Sequence, residues 1–245
     1  LGNFNVKANF AEIHDVNAFI KTFPTSYLPK KLISCMPLKF RKYVQEPHIY
    51  FWPGIFNIGT SCYIDGYWQS EKYFSDIRNT IFSDFSLKKE LVSARFIKIA
   101  KKMKGSNSIS IHVRRGDFVM VKKTNKAHGV CPLDYYEIAI KYISEKICNP
   151  EFFFFSDDIE WVKKNLSTGF KENHISGEGL SDAEEMMLMS TCRHNIIANS
   201  TFSWWGAWLN SNPGKIVVSP SKFLLGSSTD NKDLIPENWH KLNIK

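Results

Sequence analysis

The hydrophobic pattern is sharpest between residues 108 and 218. Ser108-Ile109-Ser110-Ile111-His112-Val113 alternates small or polar residues with β-branched ones and breaks at Gly116-Asp117, which predicts a buried strand over 109–114. After a loop, apolar spacing predicts a helix around Tyr135–Lys146. Glu151-Phe-Phe-Phe-Phe155 reads as a second buried strand, closed by Ser156-Asp157-Asp158 and followed by an amphipathic helix with Trp161, Val162 and Leu166. Ser181-Asp182-Ala183-Glu184 is a capping box, and its helix turns Met186, Met187 and Met189 to the core. A third strand, Asn195–Ala198, passes through Asn199-Ser200-Thr201 into a helix over Phe202–Leu209, and a fourth, Lys215–Val218, stops at Ser219-Pro220. Strand and helix in alternation predict an α/β fold with a parallel sheet covered on both faces, the nucleotide-binding type of domain.

The pattern is weaker before residue 108. Asp15 is placed to cap a short helix through Val16, Phe19 and Ile20 that Pro24 ends, and His48-Ile-Tyr-Phe-Trp52 before Pro53-Gly54 reads as a strand. Gly66 permits a turn, Ser70 can cap the helix after it, and Phe74, Ile77 and Ile81 keep helical spacing; a second helix carries Leu87, Leu91, Ala94 and Ile97 and stops at Gly105. The expected division is an N-terminal domain over 1–107 and a Rossmann-like domain over 108–245 that ends in a helix.

Charge adds a preference for anions. The 245 residues hold 32 Lys and Arg against 24 Asp and Glu, a formal net charge of +8. Much of the excess is in runs with plain explanations: Lys88-Lys89 and Lys101-Lys102-Met103-Lys104 on or beside a helix, and Lys122-Lys123 in a loop. Five cysteines without a Cys-x-x-Cys pair argue against a disulfide framework and against zinc. No apolar run approaches the ~20 residues of a membrane span. Neither Gly-x-Gly-x-x-Gly nor Gly-x-x-x-x-Gly-Lys-Ser/Thr is present, so other groups must hold any nucleotide.

Three strands finish in polar clusters: His112, Arg114, Arg115 and Asp117; Ser156, Asp157 and Asp158; then Asn199, Ser200 and Thr201, followed by Phe202 and Ser203. As parallel neighbours they would open on one sheet edge, where such folds bind ligands. The arginine forks match a phosphate, and the amides opening the Phe202 helix suit a diphosphate. Asp157 or Asp158 can accept from the ring donors of a guanine. Each group also has a structural alternative: an ion pair for the arginines, a helix cap for Ser156, Asp157 or Asn199-Ser200-Thr201, and core filling for Trp204, Trp205 and Trp208.

His112-Val-Arg114-Arg115-Gly116-Asp117 resembles the His-x-Arg-Arg-x-Asp motif of GDP-fucose-dependent fucosyltransferases, and Asn199-Ser-Thr-Phe-Ser-Trp-Trp-Gly-Ala-Trp-Leu209 is similar to a signature of the α-1,2-fucosyltransferases, of the glycosyltransferase family 11 type. Gly66–Phe74, His128-Gly-Val-Cys131 before Tyr135-Tyr136, Phe155-Ser-Asp-Asp158 and Met189-Ser-Thr-Cys192 match in the same order, from about residue 60 to 225. The resemblance implies a GT-B-like fold of two Rossmann-like domains. It also implies inverting, metal-independent transfer from GDP-β-L-fucose to the 2-hydroxyl of a terminal galactose, with no cofactor beyond the donor substrate. The family's opening Gly-Gly-x-Gly-Asn-Gln has no match before Phe10, so the N-terminal domain is expected to be incomplete.

Under that resemblance Arg114 is the first catalytic candidate, stabilising charge that grows on the departing β-phosphate, with Arg115 beside it or tying the loop through Asp117. Donor binding falls to His112, Arg114, Ser156, Asp157, Asp158, Asn199, Ser200, Thr201, Phe202 and Ser203. Acceptor contacts fall to Tyr67, Trp68, Gln69 and Glu71, and the base for the hydroxyl stays open among Asp65, Glu71 and Asp117. Expected partners are GDP-fucose and a galactose-terminated glycan, without nucleic acid, and with peripheral membrane association. The expected location is cytoplasmic or membrane-peripheral in a bacterium and the Golgi lumen in a eukaryote. Rival readings are an inactive GDP-sugar-binding protein and, on charge alone, a basic nucleic-acid-binding module.

Overall fold

The computed structural model describes residues 1–21, 36–177, 179–224 and 232–243. Its contacts divide the chain into two units: a smaller one of Lys7–Ile77 and Asp230–Leu234, and a larger one of Leu1–Val6, Arg78–Thr229 and Ile235–Lys245.

The smaller unit opens with helix α1 (Ile13–Lys21), where Asp15 lies inside the first turn rather than ahead of it; Pro24 falls outside the described residues. Strands β1 (Tyr43–Gln45) and β2 (Tyr63–Asp65) pair in parallel. His48–Trp52, expected as a strand, is not one. Its backbone donors go to side chains: Phe51 N–H to Asp233 Oδ2 at 3.1 Å and Trp52 N–H to Tyr73 Oη at 2.9 Å. The His48 ring also stacks on Tyr50, with centroids 3.4 Å apart, which bends the segment. Short 3-10 turns follow at Pro53–Asn57, Glu71–Tyr73 and Ser75–Ile77. Ser70 does cap, accepting from Lys72 N–H at 3.4 Å, but the turn it caps is 3-10. The spacing of Phe74, Ile77 and Ile81 therefore crosses a break, and α-helix begins only with α2 (Arg78–Asp84).

α2 belongs to the larger unit because its aromatic neighbours do. Phe82 stacks on Trp208 and Phe85 on Trp205, with centroids 5.5 and 4.8 Å apart, while the Arg78 guanidinium lies 4.2 Å from the Trp208 ring and donates to Trp208 O at 3.2 Å. The units thus divide at Ile77/Arg78, thirty residues before the boundary at 107 expected from the sequence. Leu87 forms an isolated bridge with Phe4, and Leu91 ends a 3-10 turn, so neither joins the helix predicted around them. That helix, α3, runs Ala94–Lys104, with Ser93 Oγ accepting from Phe96 N–H at 3.0 Å and Gly105 closing it.

The core of the larger unit is an all-parallel sheet in the order β5-β4-β3-β6-β7-β8, made of β3 (Asn107–Val113), β4 (Pro150–Ser156), β5 (Lys171–His174), β6 (His194–Ile196), β7 (Val217–Pro220) and β8 (His240–Leu242). Between the strands lie α4 (Gly116–Met120), α5 (Lys122–His128), α6 (Leu133–Ser144), α7 (Ile159–Asn165), α8 (Asp182–Thr191) and α9 (Thr201–Trp208). Ile109, Ile111 and Val113 share one core with Phe152, Phe154, Tyr136, Ala139, Ile143 and Val162, so the β-branched half of the alternation faces α6 and α7. The two serines of the polar half are buried too, and they are hydrogen-bonded. Asn195 Nδ2 donates to Ser110 Oγ at 2.7 Å and to Met189 O at 2.8 Å, and Arg193 N–H donates to Ser108 Oγ at 3.1 Å. The Ser181–Glu184 capping box forms as predicted; Met186 and Met189 are buried, and Met187 is half-buried. α9 packs against α8 through Gly206, where a Cβ would lie 2.9 Å from Met189 Cβ.

Two expectations fail here, and one strand had no sequence pattern to predict it. Lys122-Lys123 opens α5 rather than lying in a loop, because Val121 links two short helices directly. β5 has no apolar alternation in Lys-Glu-Asn-His and is recruited only as an edge against β4. Among the described residues the chain closes on strand β8, not on a helix: His240 pairs with Val218 while its ring stacks on Tyr142 at 3.9 Å. The larger unit is the expected doubly wound α/β layer, whereas the described part of the smaller unit holds a two-stranded sheet. Among the described residues no helix is long and apolar enough to cross a membrane.

Candidate functional site

β3 lies between β4 and β6, and all three run the same way, so the clusters at their carboxyl ends share one edge of the sheet. Val113 is level with Ser156, which brings Arg114 and Arg115 beside Asp157 and Asp158. Arg115 N–H donates to Asp157 Oδ1 at 2.8 Å, and Arg115 Nε donates to Asp158 Oδ2 at 3.2 Å. Arg114 Nη2 donates to Asp117 Oδ1 at 2.5 Å, and its Nη1 lies 3.1 Å from Asp157 Oδ2. Gly116 matters here through closeness, not through an unusual φ: a Cβ there would lie 2.5 Å from Asp157 Oδ2. Any side chain would drive the carboxylate off both arginines.

Two guanidinium groups thus face three carboxylates, and the site is an ion-pair network with one carboxylate in excess rather than a bare cationic hole. Two aromatic rings complete it, and the motif does not announce either. The Arg115 guanidinium stacks 3.8 Å from the Trp161 ring and that of Arg114 lies 5.5 Å from Phe118. Asp158 also caps α7, accepting from Trp161 N–H at 3.2 Å, while Ser156 Oγ accepts from Asp158 N–H at 3.0 Å. The cap and the arginine contact coexist, because a carboxylate has lone pairs for both.

His112 lies beneath this edge, 3% exposed, with its ring 5.5 Å from that of Phe202, which links the β3 cluster to the start of α9. Nδ1 is buried without a hydrogen-bond partner. Burial, reinforced by the nearby Arg114 charge, pushes its pKa down to about 3, so the imidazole is neutral. Because the unfolded chain takes up that proton near pH 6.5, His112 contributes stability that is complete above pH 6.5 and lost as pH falls toward the folded value. Melting between pH 7.5 and pH 5 is expected to show about 2 kcal/mol of loss that is absent in His112→Gln. Identical pH slopes in the two proteins would contradict this.

The third cluster has a different character. Asn199 is buried, and its Nδ2 donates to His128 O at 2.9 Å, Gly129 O at 3.2 Å and Phe223 O at 3.1 Å, while Oδ1 accepts from Cys131 Sγ at 3.3 Å. Burial pushes the Cys131 thiol up to about 12, which keeps it a donor. The Asn199 amide is thus consumed in holding two loops, the one at 128–131 and the one at Phe223. Ser203 Oγ donates back to Ser200 O at 3.2 Å, and the Ser200 side chain makes no capping bond, so the first amides of α9 at Thr201 and Phe202 are not closed by it. Trp204 and Trp208 are buried and stack on each other, 6.1 Å between centroids, and Trp204 also meets Trp239. They fill the core.

Tyr67, Trp68, Gln69 and Glu71 lie in the smaller unit. Tyr67 is 82% exposed, whereas Trp68 sits among Trp52 and Tyr73 with a left-handed φ of 52°. Glu46 holds this strained turn, accepting from Tyr67 N–H at 2.8 Å and Trp68 N–H at 3.1 Å. Glu46 carries no sequence signal, because its partner is backbone. Asp65 accepts from Tyr43 Oη at 2.7 Å, which raises the Tyr43 pKa to about 12.

Fold and site together define a Rossmann-like α/β protein whose paired arginines stand at the carboxyl edge of a parallel sheet, the ligand edge of this architecture. The family model of Glycosyl transferase family 11 matches residues 42–243, and the chain belongs to that family. This bears out the family to which the resemblance pointed. An alpha-1,2-colitosyltransferase of Escherichia coli is 36% identical over 179 residues, covering 72% of this chain and 61% of the relative. The O-antigen biosynthesis glycosyltransferase WbnK, also of Escherichia coli, is 37% identical over 182 residues, 72% of this chain and 59% of the relative. Galactoside 2-alpha-L-fucosyltransferase SEC1 of Bos taurus is 27% identical over 153 residues, 60% of this chain and 41% of the relative. The chain therefore spans about three fifths of the length of the two bacterial relatives.

Proposed function

We propose that the chain carries the donor site of an inverting transferase that moves L-fucose from GDP-β-L-fucose to the 2-hydroxyl of a terminal galactose, within a GT-B-like enzyme. The observation that carries this reading is the Arg114–Asp117–Asp157 network at the ligand edge of the sheet in a family 11 chain. Arg114 has five N–H groups and spends few of them on Asp117 and Asp157, so it can donate to a phosphate oxygen as well. Asp117, with a 45% exposed side chain, is the partner best able to give way to it. The uncapped start of α9 supplies a second positive pole for the diphosphate.

The acceptor oxygen attacks the anomeric carbon while the bond to the β-phosphate oxygen breaks, and the electron pair leaves with GDP. Arg114 neutralises that oxygen as its charge grows, a role that otherwise falls to a divalent cation. The hydroxyl proton passes to a carboxylate, for which Asp117 is the candidate within the larger unit.

The test is titration calorimetry with GDP, followed by GDP release from GDP-fucose with lactose as acceptor. Acceptor-dependent release is expected. GDP binding without it would leave only a nucleotide-sugar-binding protein. A second reading has one observation in its favour, the relative named for α-1,2-colitosyl transfer, and a colitosyl donor in the same assay separates the two.

A further inference from the structure

We propose that the tip formed by Val119, Met120 and Val121, with Lys122, Lys123 and Lys126 beside it, seats the protein on an anionic lipid bilayer. Val119, Met120 and Val121 are consecutive and 45%, 83% and 46% exposed, and among the described residues Met120 is the most exposed large apolar residue of the larger unit. Phe118, one position earlier, is 8% exposed, so the helix buries one side and presents the next residues to solvent.

The tip is built, not frayed. Asn125 Nδ2 donates to Phe118 O at 2.6 Å, Asn125 N–H donates to Val121 O at 2.9 Å, and the Phe118 ring stacks on His128 at 4.9 Å. These contacts hold α5 against α4 and fix the Val121 corner.

Beyond Asp117, which opens α4, the charge that follows along the chain is of one sign. Residues 118–130 contain no Asp or Glu, and Lys122, Lys123 and Lys126 are all exposed. Spacings of three and four residues put the lysines on one side of α5. None of them makes an ion pair among the described residues. An apolar point beside a cationic helix face matches an anionic bilayer surface: the aliphatic side chains enter the boundary of headgroups and acyl chains, and the ammonium groups meet lipid phosphates. A protein partner of complementary shape would need a groove or a flat face, and this tip is the narrow corner between two short helices. α4 has five residues, about 7.5 Å of helix, so seating it holds the Arg114 network close above the lipid. On the transferase reading, that geometry selects acceptor saccharides carried at the membrane.

Co-sedimentation with vesicles of phosphatidylcholine and phosphatidylglycerol, about three to one, against pure phosphatidylcholine tests the proposal. Binding to the anionic vesicles alone is expected, weakening steeply in about fivefold higher salt. The combined Lys122→Gln, Lys123→Gln, Lys126→Gln variant should lose on the order of a hundredfold in vesicle affinity, and Met120→Ser about tenfold. Both should keep the turnover of the natural chain on lactose, since none of these residues belongs to the arginine network. Failure of the natural chain to sediment with either vesicle overturns the proposal, as does binding that both variants retain. A dimer that Met120→Ser returns to monomer would assign the tip to a second copy and equally overturn it. Vesicle binding by a chain inactive on soluble acceptor would instead count against the transferase reading alone.

Discussion

Arg114→Lys is expected to lower kcat for acceptor-dependent GDP release by about 10²- to 10³-fold, the range seen when one preorganised donor to a developing oxyanion is removed. Lysine keeps the charge but not the fork, and it cannot reach Asp117, Asp157 and a phosphate oxygen together, as Nη1 and Nη2 allow. Arg114→Ala should be worse, because two carboxylates then face the departing phosphate with no cation between them. The melting temperature should move little in either variant. The Arg114 side chain is 33% exposed and that of Asp117 45% exposed, and ion pairs this open contribute about 0–1 kcal/mol. Loss of turnover with an unchanged melting temperature and a weakened GDP affinity is the expected combination. Near-normal kcat in Arg114→Lys would remove Arg114 from the reaction.

The largest effect on stability is expected at Asn199, a residue the motif marks for donor binding. Asn199→Ala leaves the carbonyls of His128, Gly129 and Phe223 without their common donor inside the protein, at a cost of about 2–4 kcal/mol. For a unit of this size that lowers the melting temperature by roughly 5–15 °C. Asn199→Asp, although isosteric, should be at least as harmful, since it points an oxygen at three oxygens. Differential scanning calorimetry reads both. Were Asn199 a ligand for the nucleotide and no strut, the alanine variant would melt normally and lose only GDP affinity.

The contrast between these two residues shows how the sequence was and was not readable. Arg114 and Asn199 belong to equally distinctive stretches, yet one faces the sheet edge with spare donors and the other is enclosed by two loops. Nothing local separates them. The partners of Asn199 lie 71, 70 and 24 positions away, and that proximity is created by the order of strands. Gly116 is similar: its need for a bare backbone comes from Asp157, just past the end of the neighbouring strand. The early segments were misread for the opposite reason. His48–Trp52 has the apolar content of a strand, but Asp233 and Tyr73 take its backbone donors before any ladder can form.

By itself the sequence determined strands β3, β4, β6 and β7 with the helices α6, α7, α8 and α9 between them, the capping box at Ser181, and the family. Those signals are carried by neighbouring residues, through backbone sterics, apolar periodicity and side-chain reach across one helical turn. Only the tertiary structure decided which polar residues became machinery and which became struts, where the units divide, and that Trp161 and Phe118 back the arginines. Those outcomes depend on burial and on register between strands far apart in the chain, and a buried polar group takes whichever partner the packing brings to it.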